Sequence, residues 1–136
     1  MAKSKYADYV LEHPIMDVSF GPTISMTGEK DFKSDFSIGM SLMVNPGIME
    51  EKCHVHPDFD MYVTFMGVDP DNIKDLDADI IMCMGKEEEE FLVTTATTFY
   101  IPKGFWHCPL DIRRIGKPVL FVHSTIAPKY EKTIIT

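Results

Sequence analysis

Most of the chemical information in this chain lies in one short segment, Cys53-His54-Val55-His56-Pro57-Asp58-Phe59-Asp60. In a β-strand, residues i and i+2 point to the same face, so His54 and His56 are expected side by side. Two neutral imidazoles placed in this way can bind one metal ion at about 2.0–2.2 Å. A carboxylate a few residues later can complete such a site after a turn, and Asp60 stands there. For this segment alone, a pair of hydrogen-bonded or surface histidines is the alternative interpretation.

A second segment favours the metal interpretation. Ile101-Pro102-Lys103-Gly104-Phe105-Trp106-His107 reads as a strand that ends in a tight turn, with a histidine on the returning strand. Pro102 cannot continue a central strand, and Gly104 adopts turn conformations that other residues resist. This geometry can return His107 to the face that carries the other two histidines.

The rest of the chain predicts a protein built from short strands. Apolar residues alternate with Ser and Gly from Phe36 to Val44, which is the period of two of a strand. Further β-rich runs are Met61–Met66, Ile80–Gly85, Phe91–Ile101 and Pro118–Ile126. Many short strands separated by turns, with no sustained helical period, favour a sandwich or barrel.

Together, the two histidine segments resemble the two sequence motifs of the cupin superfamily. The first consists of Gly47, six residues, His54-Val55-His56, three residues, Asp60, six residues and Gly67. The second consists of Ala96, five residues and Pro102-Lys103-Gly104-Phe105-Trp106-His107. The resemblance implies an all-β fold, an antiparallel jelly-roll β-barrel in a single domain. Residues 1–35 are then expected to form an N-terminal arm with room for a short strand, residues 36–127 the barrel and residues 128–136 a tail.

The resemblance also implies the ligands of one divalent transition metal ion: the imidazoles of His54, His56 and His107, with Asp60 at the carboxylate position. Aspartate is one methylene shorter than the glutamate usual in the family. Asp60 therefore binds directly, binds through a water molecule or leaves a three-histidine site. Ala96 also replaces the usual glycine of the second motif. Imidazole with carboxylate suits Fe, Mn, Ni, Co or Zn, so the identity of the metal stays open.

The preferred functional hypothesis is a metalloenzyme that acts on a small oxygen-rich molecule, a carboxylate or carbonyl compound. Cupins include metal-dependent dioxygenases, isomerases, lyases and decarboxylases, and the sequence does not choose among these reactions. One alternative is a non-catalytic module that binds or senses a small ligand or a metal. The other is a metal-free barrel.

Two further residues are candidates for the pocket. Tyr62 lies two positions after Asp60 and is expected to share its inward face, where it could donate a hydrogen bond to substrate. His123 is a candidate acid–base group. For both, ordinary packing inside the barrel is the alternative. Cys53 and Cys108 adjoin the expected ligand histidines, but strand alternation predicts that both point away from the metal.

Composition and charge limit the possible partners. With 13 basic and 21 acidic residues the formal charge is −8, which argues against a nucleic-acid surface. No apolar run reaches the roughly 18 residues that a membrane-spanning helix needs. Three cysteines without a CxxC pair favour a reducing cytoplasm over a disulfide framework.

A homodimer is expected, because cupins are commonly dimeric. The apolar residues Val55, Val63 and Phe65 are expected on the outer surface, and a contiguous apolar patch there would be typical of an interface.

Overall fold

The computed structural model describes residues 5–129 and the backbone of residues 133–134. These residues contain twelve strands and two short helical turns, Ala7–Tyr9 and Gly28–Phe32. The strands are β1 Met16–Val18, β2 Gly21–Met26, β3 Ser37–Met43, β4 Gly47–Glu50, β5 His54–Val55, β6 Met61–Gly67, β7 Asp75–Met84, β8 Glu89–Thr95, β9 Thr97–Ile101, β10 His107–Ile115, β11 Val119–Thr125 and β12 Thr133–Ile134.

The strands form two sheets in which every neighbouring pair is antiparallel. The first sheet has the order β1-β2-β3-β11-β6-β9, and the second has the order β12-β5-β10-β7-β8, with β4 also paired to β10. Non-consecutive strands lie side by side in both sheets, as in a jelly roll. The predicted all-β antiparallel jelly-roll fold is therefore confirmed.

Two parts of the chain contribute strands that the sequence pattern did not separate. Residues 1–35 carry β1 and β2, which extend the first sheet beyond β3. The β-rich run Phe91–Ile101 is divided at Ala96, whose N–H donates to the carbonyl oxygen of Lys74. The chain therefore crosses from the second sheet to the first within this run.

The hydrophobic core lies between the inner faces of the two sheets. Its largest fully buried side chains include Met43 and Phe65 from the first sheet and Ile80, Met82 and Ile112 from the second. Burying one side chain of this size contributes about 1.5–3 kcal/mol. The core therefore holds together the two sheets that carry the histidines.

Strand β3 has the predicted position but buries the opposite face from the one that its apolar pattern suggests. Ser37, Gly39, Ser41 and Met43 point inward and are buried, whereas Leu42 on the other face is 41% exposed. Small residues are needed inside because the ring of His123 lies against Gly39, where an added Cβ would come within 2.5 Å of His123 Nε2. The apolar residues of β3 therefore cover the outside of the first sheet.

Strand β6 corrects the expected outer surface. Val63 and Phe65 are 2% and 0% exposed and belong to the core, so they cannot form a dimer interface. Val55 in β5 is also buried, at 7% exposed. The expectation was wrong because it carried the alternation of β5 through the Pro57–Asp60 loop, where the strand period is interrupted. β6 begins at Met61, so its odd-numbered residues point inward.

Within the described residues, no helix has the length and apolar character required to cross a membrane.

The direction of the β6 side chains can be tested by two alanine substitutions in neighbouring positions. Phe65→Ala is expected to lower the free energy of unfolding by about 3–5 kcal/mol, because it leaves a cavity in the core. Thr64→Ala removes only an exposed hydrogen bond to Thr98 (2.8 Å) and should cost about 0.2–1 kcal/mol. Urea denaturation measures both values, and equal losses would contradict the assigned faces.

Candidate metal centre

Three histidine rings meet inside the barrel. β5 and β10 pair so that His54 lies directly opposite His107. The ring centroids of His54 and His107 are 4.3 Å apart, and each lies 4.9 Å from the centroid of His56. All three residues are at most 2% exposed. The structure thus brings together the three histidines that the sequence selected.

Backbone carbonyl groups orient two of these rings. His54 Nδ1 donates to the carbonyl oxygen of Lys52 at 3.0 Å, and His107 Nδ1 donates to that of Phe105 at 3.1 Å. Because a carbonyl oxygen only accepts hydrogen bonds, Nδ1 must carry the proton in both rings. In the neutral rings the lone pair then lies on Nε2, and the Nε2 atoms of all three histidines are buried. A metal-binding histidine commonly makes such a hydrogen bond through its other ring nitrogen. The rings of His54 and His107 therefore fit a divalent ion, and the ring of His56 lies next to them.

The turn between β9 and β10 is fastened to the segment that carries His56. The N–H of Gly104 donates to the carbonyl oxygen of His56 at 2.9 Å, and Gly104 has a φ of 80°, which favours glycine. The ring of His56 stacks on buried Phe59, with centroids 5.0 Å apart. These contacts fix the position of His56 just beyond the end of β5.

Asp60 braces the same turn from outside. Its Oδ1 accepts the N–H of Lys103 at 2.9 Å, and the side chain is only partly buried. Asp60 also interacts with Tyr100. Partial desolvation, and then the negative charge of Asp60, raise the pKa of the Tyr100 phenol. The following residue, Met61, takes the inward position and lines the cavity. These contacts give Asp60 a structural role at the turn.

Cys108 joins the histidines, so the prediction that it points away was wrong. His107 and Leu110 of β10 lie opposite Met84 and Met82 of β7, which places one extra residue in β10. Such a bulge interrupts alternation, and Cys108 adopts a φ of 75° within it. One ligand atom each from His54, His107 and Cys108 lie within 4.8 Å of one another.

The signal for this bulge is present in the sequence. Pro109 stands inside a central strand, and proline is tolerated there essentially only at bulges. Cys53 behaves as predicted and lies outside the cluster of His54, His107 and Cys108. Its Sγ donates to the carbonyl oxygen of Gly85 at 3.6 Å, and burial raises the pKa of its thiol.

A cavity of about 390 Å³ adjoins the histidines. Most of its wall is apolar, and the lining residues are Met49, Glu50, His54, Met61, Val63, Met82, His107, Cys108, Leu110, Phe121 and His123. Glu50 is a carboxylate that the sequence analysis did not select. It faces inward because β4 pairs with β10 and sets Glu50 opposite Leu110.

The two candidate pocket residues have different locations. His123 lines the cavity, and burial lowers its pKa below the usual value of a histidine. Tyr62 does not line the cavity, so that expectation was wrong. It is 39% exposed on the outer face of β6 and stacks on Tyr100 with ring centroids 5.2 Å apart.

No protein-family model matches the sequence, and no curated protein matches it closely enough to count as a relative. Solved structures match in fold. Oxalate decarboxylase from Bacillus subtilis, in a study of its Mn(II) centres, is 10% identical with a TM-score of 0.56 over 88% of this chain and 29% of its own. The same enzyme at pH 4.6 is 15% identical with a TM-score of 0.55, over 91% of this chain and 30% of its own. Peruvianin-I, a cysteine peptidase from Thevetia peruviana latex, is 12% identical with a TM-score of 0.62, over 97% of this chain and 80% of its own.

These likenesses, the antiparallel jelly roll and the two histidine segments identify the fold as that of the cupins. The chain spans less than a third of the length of the oxalate decarboxylase chains that it matches. At such low sequence identity the likeness describes the fold alone. A decarboxylase and a peptidase share this fold, so the reaction must be argued from the site.

The position of His123 predicts a pH effect on stability. Because burial lowers its folded-state pKa, the unfolded chain binds a proton more readily as the pH falls below about 6.5. Wild type should therefore lose stability relative to His123→Phe between pH 7 and pH 5, by at most about 1.4 kcal/mol per pH unit. Urea denaturation with chelator present measures the difference, and the three other buried histidines are the same in both proteins. A difference that does not change with pH would contradict the burial of this ring.

Proposed function

We propose that this chain is a metalloenzyme of the cupin fold that binds one divalent metal ion through His54, His56 and His107, with the thiol of Cys108 as a further ligand. The observation that carries the proposal is the convergence of three buried rings whose centroids are 4.3–4.9 Å apart. The carbonyl hydrogen bonds of His54 and His107 support it, because they direct Nε2 as the metal-binding atom.

The donor set restricts the metal. Three imidazoles accept iron, cobalt, nickel, zinc or manganese, but a nearby thiol favours the softer ions over manganese. A bound ion would polarise an oxygen of the substrate or lower the pKa of a bound water molecule. The Mn(II) centres of oxalate decarboxylase belong to a protein of the same fold, but Cys108 beside the histidines makes iron, cobalt, nickel or zinc the better fit here.

Two residues of the cavity wall supply proton transfer. Because burial lowers the pKa of His123, its ring is neutral at neutral pH and accepts a proton. Glu50 places a carboxylate on the neighbouring wall. A base of this kind beside a substrate carbonyl or carboxylate suits isomerase, lyase or decarboxylase chemistry. Tyr62 lies outside the cavity and takes no part in this proposal.

Metal content tests the ligand assignment. Each of the variants His54→Ala, His56→Ala and His107→Ala is expected to lose nearly all of about one bound ion per chain, because each removes an imidazole ligand. The measurement is elemental analysis after loading with one metal and gel filtration. His123→Phe is the matched control and should keep its metal. Retention of the ion by any of the three alanine variants would contradict the assignment.

The variant Asp60→Asn tests whether Asp60 only holds the turn through Lys103 or also binds the metal. The amide oxygen of asparagine still accepts the N–H of Lys103, so metal affinity is expected to change by less than about 10-fold. Affinity is measured by competition with a chelator of known strength. A loss as large as that of His54→Ala would identify Asp60 as a ligand.

Cobalt spectroscopy tests whether Cys108 binds the ion. A thiolate ligand gives a strong near-ultraviolet sulfur-to-cobalt charge-transfer band. The band is expected in wild type, lost in Cys108→Ser and kept in Cys53→Ser, whose Sγ lies against Gly85 instead. An identical spectrum in Cys108→Ser would exclude Cys108 as a ligand.

We also propose that the protein is a cytoplasmic homodimer that pairs through the outer face of the first sheet. None of its three cysteines forms a disulfide, which suits a reducing compartment. On the outer face, an apolar groove of about 250 Å³ is lined by Ile15, Pro22, Thr23, Ile24, Met40, Ser41, Leu42 and Leu120. Leu42 is well exposed at this groove, and a second copy would remove it from water.

Leu42→Glu is expected to convert a dimer to a monomer, because it places a charge in this apolar groove. Light scattering at micromolar concentration measures the mass. Ile73→Glu is the matched control, since Ile73 is 49% exposed in the loop before β7. A monomeric wild type, or equal masses of the two variants, would contradict the proposal.

A further inference from the structure

The wall of the cavity restricts what part of a molecule can lie beside the histidines. Its apolar side chains come from both sheets: Met61, Val63 and Phe121 from the first and Met82 and Leu110 from the second. Each is at most 7% exposed. They surround the space with carbon and sulfur atoms, which stabilise apolar groups and do not replace the hydration of a charge.

Two rows of paired residues cross the second sheet beside the cavity. His54, His107 and Met84 are paired in one row across β5, β10 and β7. Further along β10, Leu110 lies opposite Met82 on one side and Glu50 on the other. A molecule whose oxygen faces the histidines therefore extends its remainder along Leu110 and Met82, and the only charge it meets in this row is the negative charge of Glu50.

Beyond the metal site, the described wall of the cavity offers a second negative group only the ring of His123, whose pKa is lowered by burial, and the carboxylate of Glu50. Among the lining residues that the structure describes there is no lysine or arginine. Three cations near β10 are exposed and paired with carboxylates: Arg113 with Asp111 at 3.0 Å, Arg114 with Asp79 at 2.9 Å, and Lys117 with Asp69 at 3.7 Å. A second carboxylate inside the cavity would lose its hydration without a counter-ion, which is costly.

We infer that the cavity binds a molecule with one oxygen-bearing head and an apolar body, such as a medium-chain or single-ring monocarboxylate. The inference rests on the proposed metal function, since the ion holds the head. The volume of about 390 Å³ is within the usual range for small-molecule sites. Methionines such as Met49, Met61 and Met82 are flexible and polarisable, so the wall adapts to bodies of different shape.

Calorimetric titration of the cobalt-loaded wild-type protein tests this class of ligand. The probes are acetate, butanoate, hexanoate and octanoate, and adipate is matched to hexanoate in chain length. Affinity is expected to rise about fourfold for each methylene until the cavity is filled. Adipate should bind at least about 10-fold more weakly than hexanoate, because its second carboxylate lies against the apolar wall. A flat series, or adipate as tight as hexanoate, would overturn the inference.

Two variants locate the binding. Val63→Phe narrows the cavity and should weaken octanoate more than acetate, whereas Ile73→Phe, in the loop before β7, should change neither. His54→Ala should lose the whole series, and a chain-length effect that survives in it would place the binding elsewhere. A wild-type protein that holds no metal would refute the proposed function. A protein that holds metal but shows no chain-length effect would refute this inference alone. If Val63→Phe does not fold, the wild-type series decides the outcome.

Discussion

The antiparallel pairing of β5 with β10 is the constraint on which the site depends. It sets His54 opposite His107, and the two rings lie with centroids 4.3 Å apart. β5 contains only two residues, so its position relies on the strands beside it and on the hydrogen bond from Gly104 to His56. The hydrophobic core between the sheets keeps those strands in register. The chemistry of three small polar rings therefore rests on apolar packing elsewhere in the barrel.

The sequence predicted the parts of this arrangement that are local. Alternation located β3 within one residue at each end, and the spacing of His54, His56 and His107 selected rings that do meet. After a loop interrupts a strand, alternation alone does not tell which residues of the next strand point inward. The Pro57–Asp60 loop reset the inner face of β6, so Tyr62 was wrongly placed inside and Phe65 outside. The bulge at Cys108 turned a thiol inward that a regular strand would have turned outward.

A different kind of information was missing for Glu50. Nothing about its neighbours in the sequence marks it, because its inward direction comes from pairing with Leu110, sixty residues later in the chain. Long-range register is set by the whole barrel and is not written in any short segment. The same holds for the character of the cavity. The resemblance to the cupins suggested an oxygen-rich ligand, whereas the wall built by Met61, Met82 and Phe121 is suited to an apolar body.

The fold alone leaves the reaction open, since it is shared with a decarboxylase and with a latex peptidase. The surroundings of the histidines are the place to look for it: the thiol of Cys108, the carboxylate of Glu50 and apolar side chains along most of the remaining wall. These features belong to the chain itself and would differ between proteins of the same architecture.

The contact between Gly39 and His123 also links two positions in evolutionary terms. An added Cβ at position 39 would occupy the space of the His123 ring, so the two residues share one volume. A larger residue at position 39 requires the ring of His123 to move or position 123 to carry a smaller side chain. Glycine at 39 and histidine at 123 should therefore change together among related sequences, and the loss of one would signal a cavity with a different wall.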